Sequence, residues 1–332
     1  MIPARQGFRR ANPMERTMHT RHMNRRLTAA EWVMLLLVLV AGALYATTVV
    51  AAVTQKTFAT PEQATAALVQ AVKAQDFPAM RAVLGNDPGD LSSGDKVADR
   101  ANMQHFIRQY EQKHALVAHG EGLILTIGND DFPFAFPLVK TGERWRFDTV
   151  AGKDELLARR IGANELDAFK VLGAIVDAQH EYAAADRDGD GVLAYAQRFL
   201  SSRGKHDGLF WPTKAGEAPS PLGPFIANAS GEGYQAKQGT PTPYHGYYYR
   251  LLKGQGKMAD APAFDYVVHG RAIGGFAVVA YPAKYGSSGI MTFIVNQDGK
   301  VFQSDLGRDT AQKARAMQRF DPGPGWEAVA KP

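Results

Sequence analysis

The chain contains no cysteine. That excludes disulfide staples, thiol catalysis, thiolate metal centres and a lipoprotein anchor, so packing and hydrogen bonds must hold the fold, helped at most by a bound ion. Charge imbalance is also lacking once the N-terminus is set aside. Residues 1–31 carry Arg5, Arg9, Arg10, Arg16, Arg21, Arg25 and Arg26 against Glu15 and Glu31, a net of +5. The whole chain is also +5, which leaves residues 32–332 neutral. A neutral body has no electrostatic footprint for nucleic acid, and no nucleic-acid partner is expected. Several catalytic signatures are missing too. There is no HExxH pair, and His114 and His119 are five apart, off one helical face. Gly286-Ser287-Ser288-Gly289 lacks the Gly-x-Ser-x-Gly pattern of a nucleophile elbow. Gly254-Gln255-Gly256-Lys257 lacks P-loop spacing. No internal repeat or low-complexity run is present.

What is there begins with an apolar run. Residues 32–53, WVMLLLVLVAGALYATTVVAAV, contain no charge and are long enough to span a bilayer as a helix. Arginines precede the run and only Lys56 follows closely, so residues 1–31 read as a basic cytoplasmic tail and the bulk as exported. Residues 32–53 are either a transmembrane anchor or a signal peptide cut after the Val49–Ala52 region. The start codon is Met1 or Met23, whose Asn-Arg-Arg follow-up suits a signal n-region. Two locations follow: the inner membrane with a periplasmic body, or the periplasm after cleavage.

About 280 residues remain, enough for one large or two ordinary domains. The pattern is α+β. Residues 57–150 read as a small module: helices capped at Thr60 and Asp76, a third over 99–114, a strand over 123–127, and a hairpin of 134–140 with 144–148. Residues 151–332 read as a long helix over 153–184 with a weak point at Gly162, a helix over 193–201, and an irregular stretch over 203–245. An antiparallel sheet follows, from strands at 246–253, 266–268, 275–281, 289–296 and 300–303, before a short helix over 309–318.

One loop names a chemistry. Asp186, Asp188 and Asp190 fill positions 1, 3 and 5 of a calcium-binding loop, Gly191 fills 6, and the Val192 carbonyl is offered at 7. A hard cation wants oxygen ligands at one centre, which alternate residues of a tight loop supply. Position 12 is Gln197 instead of a bidentate Glu, so a full EF-hand is not expected. The reading is a structural calcium half-site, with a solvated Asp/Gly turn as the plainer alternative.

A second candidate is the pair of segments Lys205–Pro212 and Pro243–Arg250. Tyrosine and tryptophan present an apolar face with a polar tip, which suits glycan or peptide recognition. The ligand-binding candidates are Trp211, His245, Tyr247 and Tyr249. In a strand, Tyr247 and Tyr249 share one side, so one side of this segment must be core. Acid–base candidates for a catalytic alternative are His206, Asp207 and His245.

Several strings carry a resemblance: DFPFAFPLVKTGERWRFDTVAGKDELLARRIGANEL, AQHEYAAADRDGDGVLAYAQRFLSS, GKHDGLFWP, SPLGP, PYHGYYYRLLKGQG and GGFAVVAYPAKYGSSGIMTFIVNQDGKVFQSDLG. In this order, from about residue 58 to the end, they resemble the exported bacterial family known as domain of unknown function 2950. The resemblance implies export and no established activity. Residues 57–150 resemble the NTF2-like class. The long helix ending in Tyr182-Ala-Ala-Ala-Asp-Arg-Asp-Gly, followed by TFIVNQDGKV in a sheet, is similar to the globular heads of type IV pilins and pseudopilins. The expectation is an exported cell-envelope protein, a non-catalytic binding or assembly module whose partner is an envelope protein or glycan. The rival is a hydrolase acting on envelope glycan or peptide.

Overall fold

The computed structural model describes residues 54–85, 92–187, 189–235 and 241–329. The basic tail and the anchor-or-signal run lie outside them, as does Asp188. Among the described residues, no helix is long and apolar enough to cross a membrane. Residues from Ala52 to Pro332 form one compact unit, of mixed helix and antiparallel sheet.

The chain opens with three helices. α1 (Pro61–Lys73) starts where Thr60 Oγ1 accepts from Gln63 N at 3.2 Å, with proline in the first turn, where its missing N–H costs nothing. α2 (Phe77–Leu84) is capped by Asp76. α3 (Lys96–Gln112) begins three residues before the predicted start. Its cap is Asp95, while Asp99 instead accepts from Ser92 Oγ and Ser93 N. β1 (His114–His119), which sequence patterning missed, forms a hairpin with β2 (Gly122–Ile127). It was invisible because its residues are mostly exposed, with no buried alternation to read. β3 (Phe132–Pro133), β4 (Leu138–Thr141) and β5 (Arg144–Phe147) complete a sheet of order β1-β2-β4-β5, with β3 on β2. Leu68, Leu125, Leu138 and Phe147 are fully buried between helices and sheet.

α4 (Thr149–Ala183) is a single helix of 35 residues, about 50 Å long. It begins four residues earlier than predicted because Asp148 caps it, and it runs unbroken through Gly162. Its first turns put Leu156 on the core just described, and Ala168, Val171, Leu172 and Ile175 lie in a second core. The predicted helix over 193–201 does not form. Gln179 on α4 is wholly buried and takes both backbone groups of Ala196, donating to its carbonyl and accepting from its N–H, each at 2.9 Å. Tyr195 bridges to Ala272 and Leu200 to Phe210, so the segment is held extended by tertiary partners. Within the stretch read as irregular, α5 (Gly223–Gly231) forms.

The second sheet is built from β6 (Tyr247–Leu252), β9 (Ala277–Pro282), β10 (Thr292–Asn296), β11 (Val301–Ser304) and β13 (Glu327–Ala328), in the order β13-β11-β10-β9-β6. Alternation divides it: Tyr247, Val278, Ala280, Phe293 and Val295 join α4 in one core. Tyr281, Val279 and Ile294 face a third core that also holds Ala314 of α6 (Thr310–Ala316). A small sheet of β7 (Gly254–Gln255), β8 (Phe264–Asp265) and β12 (Arg319–Phe320) adjoins that side. The strand predicted at 266–268 therefore sits earlier, with Tyr266 in the third core and Val268 bridging only to Arg271.

Candidate functional site

The aspartate loop is satisfied largely by its own backbone. Asp186 accepts from the N–H groups of Gly189, Asp190 and Gly191, at 2.8, 3.3 and 2.8 Å. Asp190 accepts from Val192 N at 2.9 Å and pairs with the Arg271 guanidinium at 2.7 Å. Gln197, at the closing position, donates to the Gly270 carbonyl at 2.7 Å. As arranged, the Arg271 guanidinium stands on Asp190, so a cation at this loop has to displace it.

The first aromatic segment is packed, not open. Trp211 is buried in the second core, with the exposed His206 ring stacked on it at 4.3 Å. Asp207 turns away from His206 to accept from Ser202 N and Oγ at 2.6 and 2.8 Å, with Arg198 at 3.7 Å. Burial alone would raise its carboxyl, but the Ser202 bonds and the Arg198 charge outweigh it and leave the group below its ordinary value. His206 and Asp207 thus serve different neighbours.

The second segment behaves differently. Tyr244, His245, Gly246 and Tyr247 form a two-residue turn in which Tyr244 and Tyr247 exchange backbone hydrogen bonds. Tyr247 is fully buried and donates to the Met291 carbonyl at 2.9 Å. His245 stands between two carboxylates: Nδ1 lies 2.9 Å from Asp167 Oδ2 on α4, and Nε2 lies 2.8 Å from Glu232 Oε2, just past α5. Burial would raise the Asp167 carboxyl, yet hydrogen bonds from Lys170 and His245 hold it below the usual value. Behind this cluster Asp95 is buried. Its Oδ1 caps α3 through Val97 N and Ala98 N, and its Oδ2 accepts from Tyr234 Oη at 2.8 Å and Gly246 N at 3.1 Å. Burial, then the Asp95 charge, pushes the Tyr234 phenol far up, and burial with Glu232 pushes Tyr244 up to about 12. Both stay protonated donors near neutrality. Asp95, Asp167, Glu232 and Tyr234 were not read from sequence; only Asp95, at the head of an amphipathic stretch, had a capping signal to find.

Beside this cluster lies a cavity of about 630 Å³. Val171 and Ile175 of α4, Phe225, Ile226 and Ala229 of α5, and Tyr249 of β6 supply apolar wall. Tyr234 and Tyr244, whose rings meet edge-on at 4.7 Å, separate it from the carboxylate–imidazole cluster. Arg198 also reaches the cavity, already bonded to Ser202 Oγ at 2.7 Å. Of the four predicted ligand-binding residues, Tyr249 lines the cavity, His245 adjoins it through Tyr244, and Trp211 and Tyr247 are core residues.

The family model described as protein of unknown function (DUF2950) matches residues 55–329. The chain belongs to the DUF2950 family. The match spans all three sheets, α4 and every residue of the cluster and cavity, so the site is part of what the DUF2950 model covers. No curated protein matches the chain, and neither does any solved structure.

Proposed function

We propose that this DUF2950 protein is an exported, non-catalytic binding protein of the cell envelope whose ligand sits in the cavity between α4, α5 and β6. The carrying observation is the cavity itself. Its size is that of a small-molecule site, and its wall is apolar and aromatic with few polar groups. Such a wall favours an uncharged, apolar moiety of an envelope component, whether free or displayed by a protein or glycan partner. The hydrolase reading retains His245 with Asp167 and Glu232, since Asp207 is engaged by Ser202 and Arg198. Export rests on the Arg-rich head and apolar run of the sequence, with tethering through residues 32–53 or release by cleavage. Helices followed by the sheet β1-β2-β4-β5 support an NTF2-like reading of residues 57–150, and a long helix against an antiparallel sheet supports a pilin-like reading of 151–332.

The test is native mass spectrometry of the purified body after exposure to an organic extract of envelope. A bound adduct is expected on the wild type and lost in Ala229→Trp, which fills the cavity from α5. An adduct that survives Ala229→Trp ends the cavity reading.

Calcium at Asp186, Asp188, Asp190 and the Val192 carbonyl belongs to this reading only in competition with Arg271. Melting in calcium should then exceed melting in chelator, and by more in Arg271→Ala. Equal melting temperatures in both proteins remove calcium from the account.

A further inference from the structure

His245 is an awkward residue for its place. It is the first central residue of the turn, with φ at +49°, and Gly246 follows at +75°. A left-handed backbone costs a residue with a Cβ about 1 kcal/mol or more, and Asn, Asp or Gly would fill it more easily. The imidazole offsets that cost through Asp167 at 2.9 Å and Glu232 at 2.8 Å. An ionised carboxylate only accepts hydrogen bonds. Both contacts are attractive together only when both ring nitrogens carry hydrogen, which is the imidazolium.

We propose that His245 is a proton-dependent latch on the cavity, holding the C-terminal end of α5 against α4 while the ring is charged and releasing it when the ring is neutral. The proposal rests on the cavity being the binding site.

The groups facing the ring decide which contact yields. From α4 come Asp167 and, bonded to it at 2.9 Å, Lys170. From the end of α5 comes Glu232, which also takes the Tyr244 hydroxyl. From the head of α3 comes Asp95, reaching the turn through Tyr234 and Gly246 N. A neutral ring leaves three carboxylates facing the one ammonium of Lys170. It keeps a single N–H, and Asp167, the less exposed acid at 30% against 45% for Glu232, retains it. The lone pair at Nε2 then repels Glu232, which can turn into water. Glu232 caps the C-terminus of α5, and α5 carries Phe225, Ile226 and Ala229 of the cavity wall. Losing that tie loosens the wall.

The test uses Nile red, an uncharged apolar dye, with the wild type, Glu232→Gln and Ala229→Trp between about pH 5.5 and 8. Dye release from the wild type should speed up about three- to five-fold as pH rises, the scale of one partly exposed ion pair. In Glu232→Gln the profile should be flat, because the amide can accept from a charged ring or donate to a neutral one. Hydrogen exchange over residues 223–234, corrected for intrinsic pH dependence, should show the same contrast without any dye. A wild-type profile and exchange pattern that are both flat overturn the latch, while loss of dye in Ala229→Trp still supports the cavity. Dye that binds Ala229→Trp as well as wild type overturns the cavity and the latch with it. Melting curves of each variant establish that it is folded.

Discussion

Tyr249 has a buried hydroxyl with no hydrogen-bond partner among the described residues, and burial pushes its phenol well above the ordinary value. A buried hydroxyl left unpaired costs about 1–3 kcal/mol, so removing it should help the folded state. Tyr249→Phe is expected to raise stability by about 1 kcal/mol, read as a higher urea midpoint with an unchanged slope. Gly246 points the other way. Its φ is +75°, and a Cβ there would stand 2.4 Å from Asn164 Nδ2, which is itself bonded to the Ser288 carbonyl at 2.8 Å. Gly246→Ala should therefore cost about 2 kcal/mol or more, from strain and a displaced hydrogen bond together. At this scale the sequence was half legible. His245 stood out in a run of tyrosines, but its partners lie 78 and 13 residues away, and Asp95 reaches Gly246 across 151. Such pairings have no local signal. His206 and Asp207 are the reverse case: adjacent in sequence, they contact different neighbours, His206 the Trp211 ring and Asp207 Ser202.

Helices with side-chain caps were the elements that patterning found most surely. α1 and α2 start at Thr60 and Asp76 as expected, because a cap is a local interaction between a side chain and backbone two or three residues on. The starts of α3 and α4 were placed late where a nearer Asp, 95 or 148, does the capping. Residues 193–201 show where local preference loses. Leu193, Ala194 and Ala196 favour a helix, but the N–H and carbonyl of Ala196 are both held by the Gln179 amide. A fully buried side chain pairing with both backbone groups outweighs the few tenths of a kcal/mol per residue that propensity supplies. Gln179→Ala should thus free this segment from α4. The expected loss is about 2–3 kcal/mol, with hydrogen exchange rising first over residues 195–200 and not in the α1–α3 region. If exchange rises evenly along the chain, the pairing is not what holds the segment.

Across the whole body, no disulfide joins the parts, so polar joints between cores matter. Asp95 is one: it caps α3 and at the same time accepts from Tyr234 and from the backbone that leads into β6. α4 is another, with side chains in both the first and second cores. The acid response of the molecule follows from carboxylates of this kind. Asp167 and Asp207 are both held below their ordinary values in the folded state. A carboxyl with a depressed folded value binds its proton more readily when unfolded. Its contribution is therefore complete above the unfolded value of about 4, and it is lost as pH falls through the lower folded value. Stability should be flat from these two groups between neutrality and about pH 5 and should decline below about pH 4. Asp207→Asn should lower stability at pH 7, yet lose less on acidification, because the amide keeps a weaker bond to Ser202 and has no proton to gain. Urea midpoints at pH 7, 4 and 3 for wild type and variant decide it: parallel declines would mean that the Ser202 and Arg198 contacts do not lower the Asp207 carboxyl in solution.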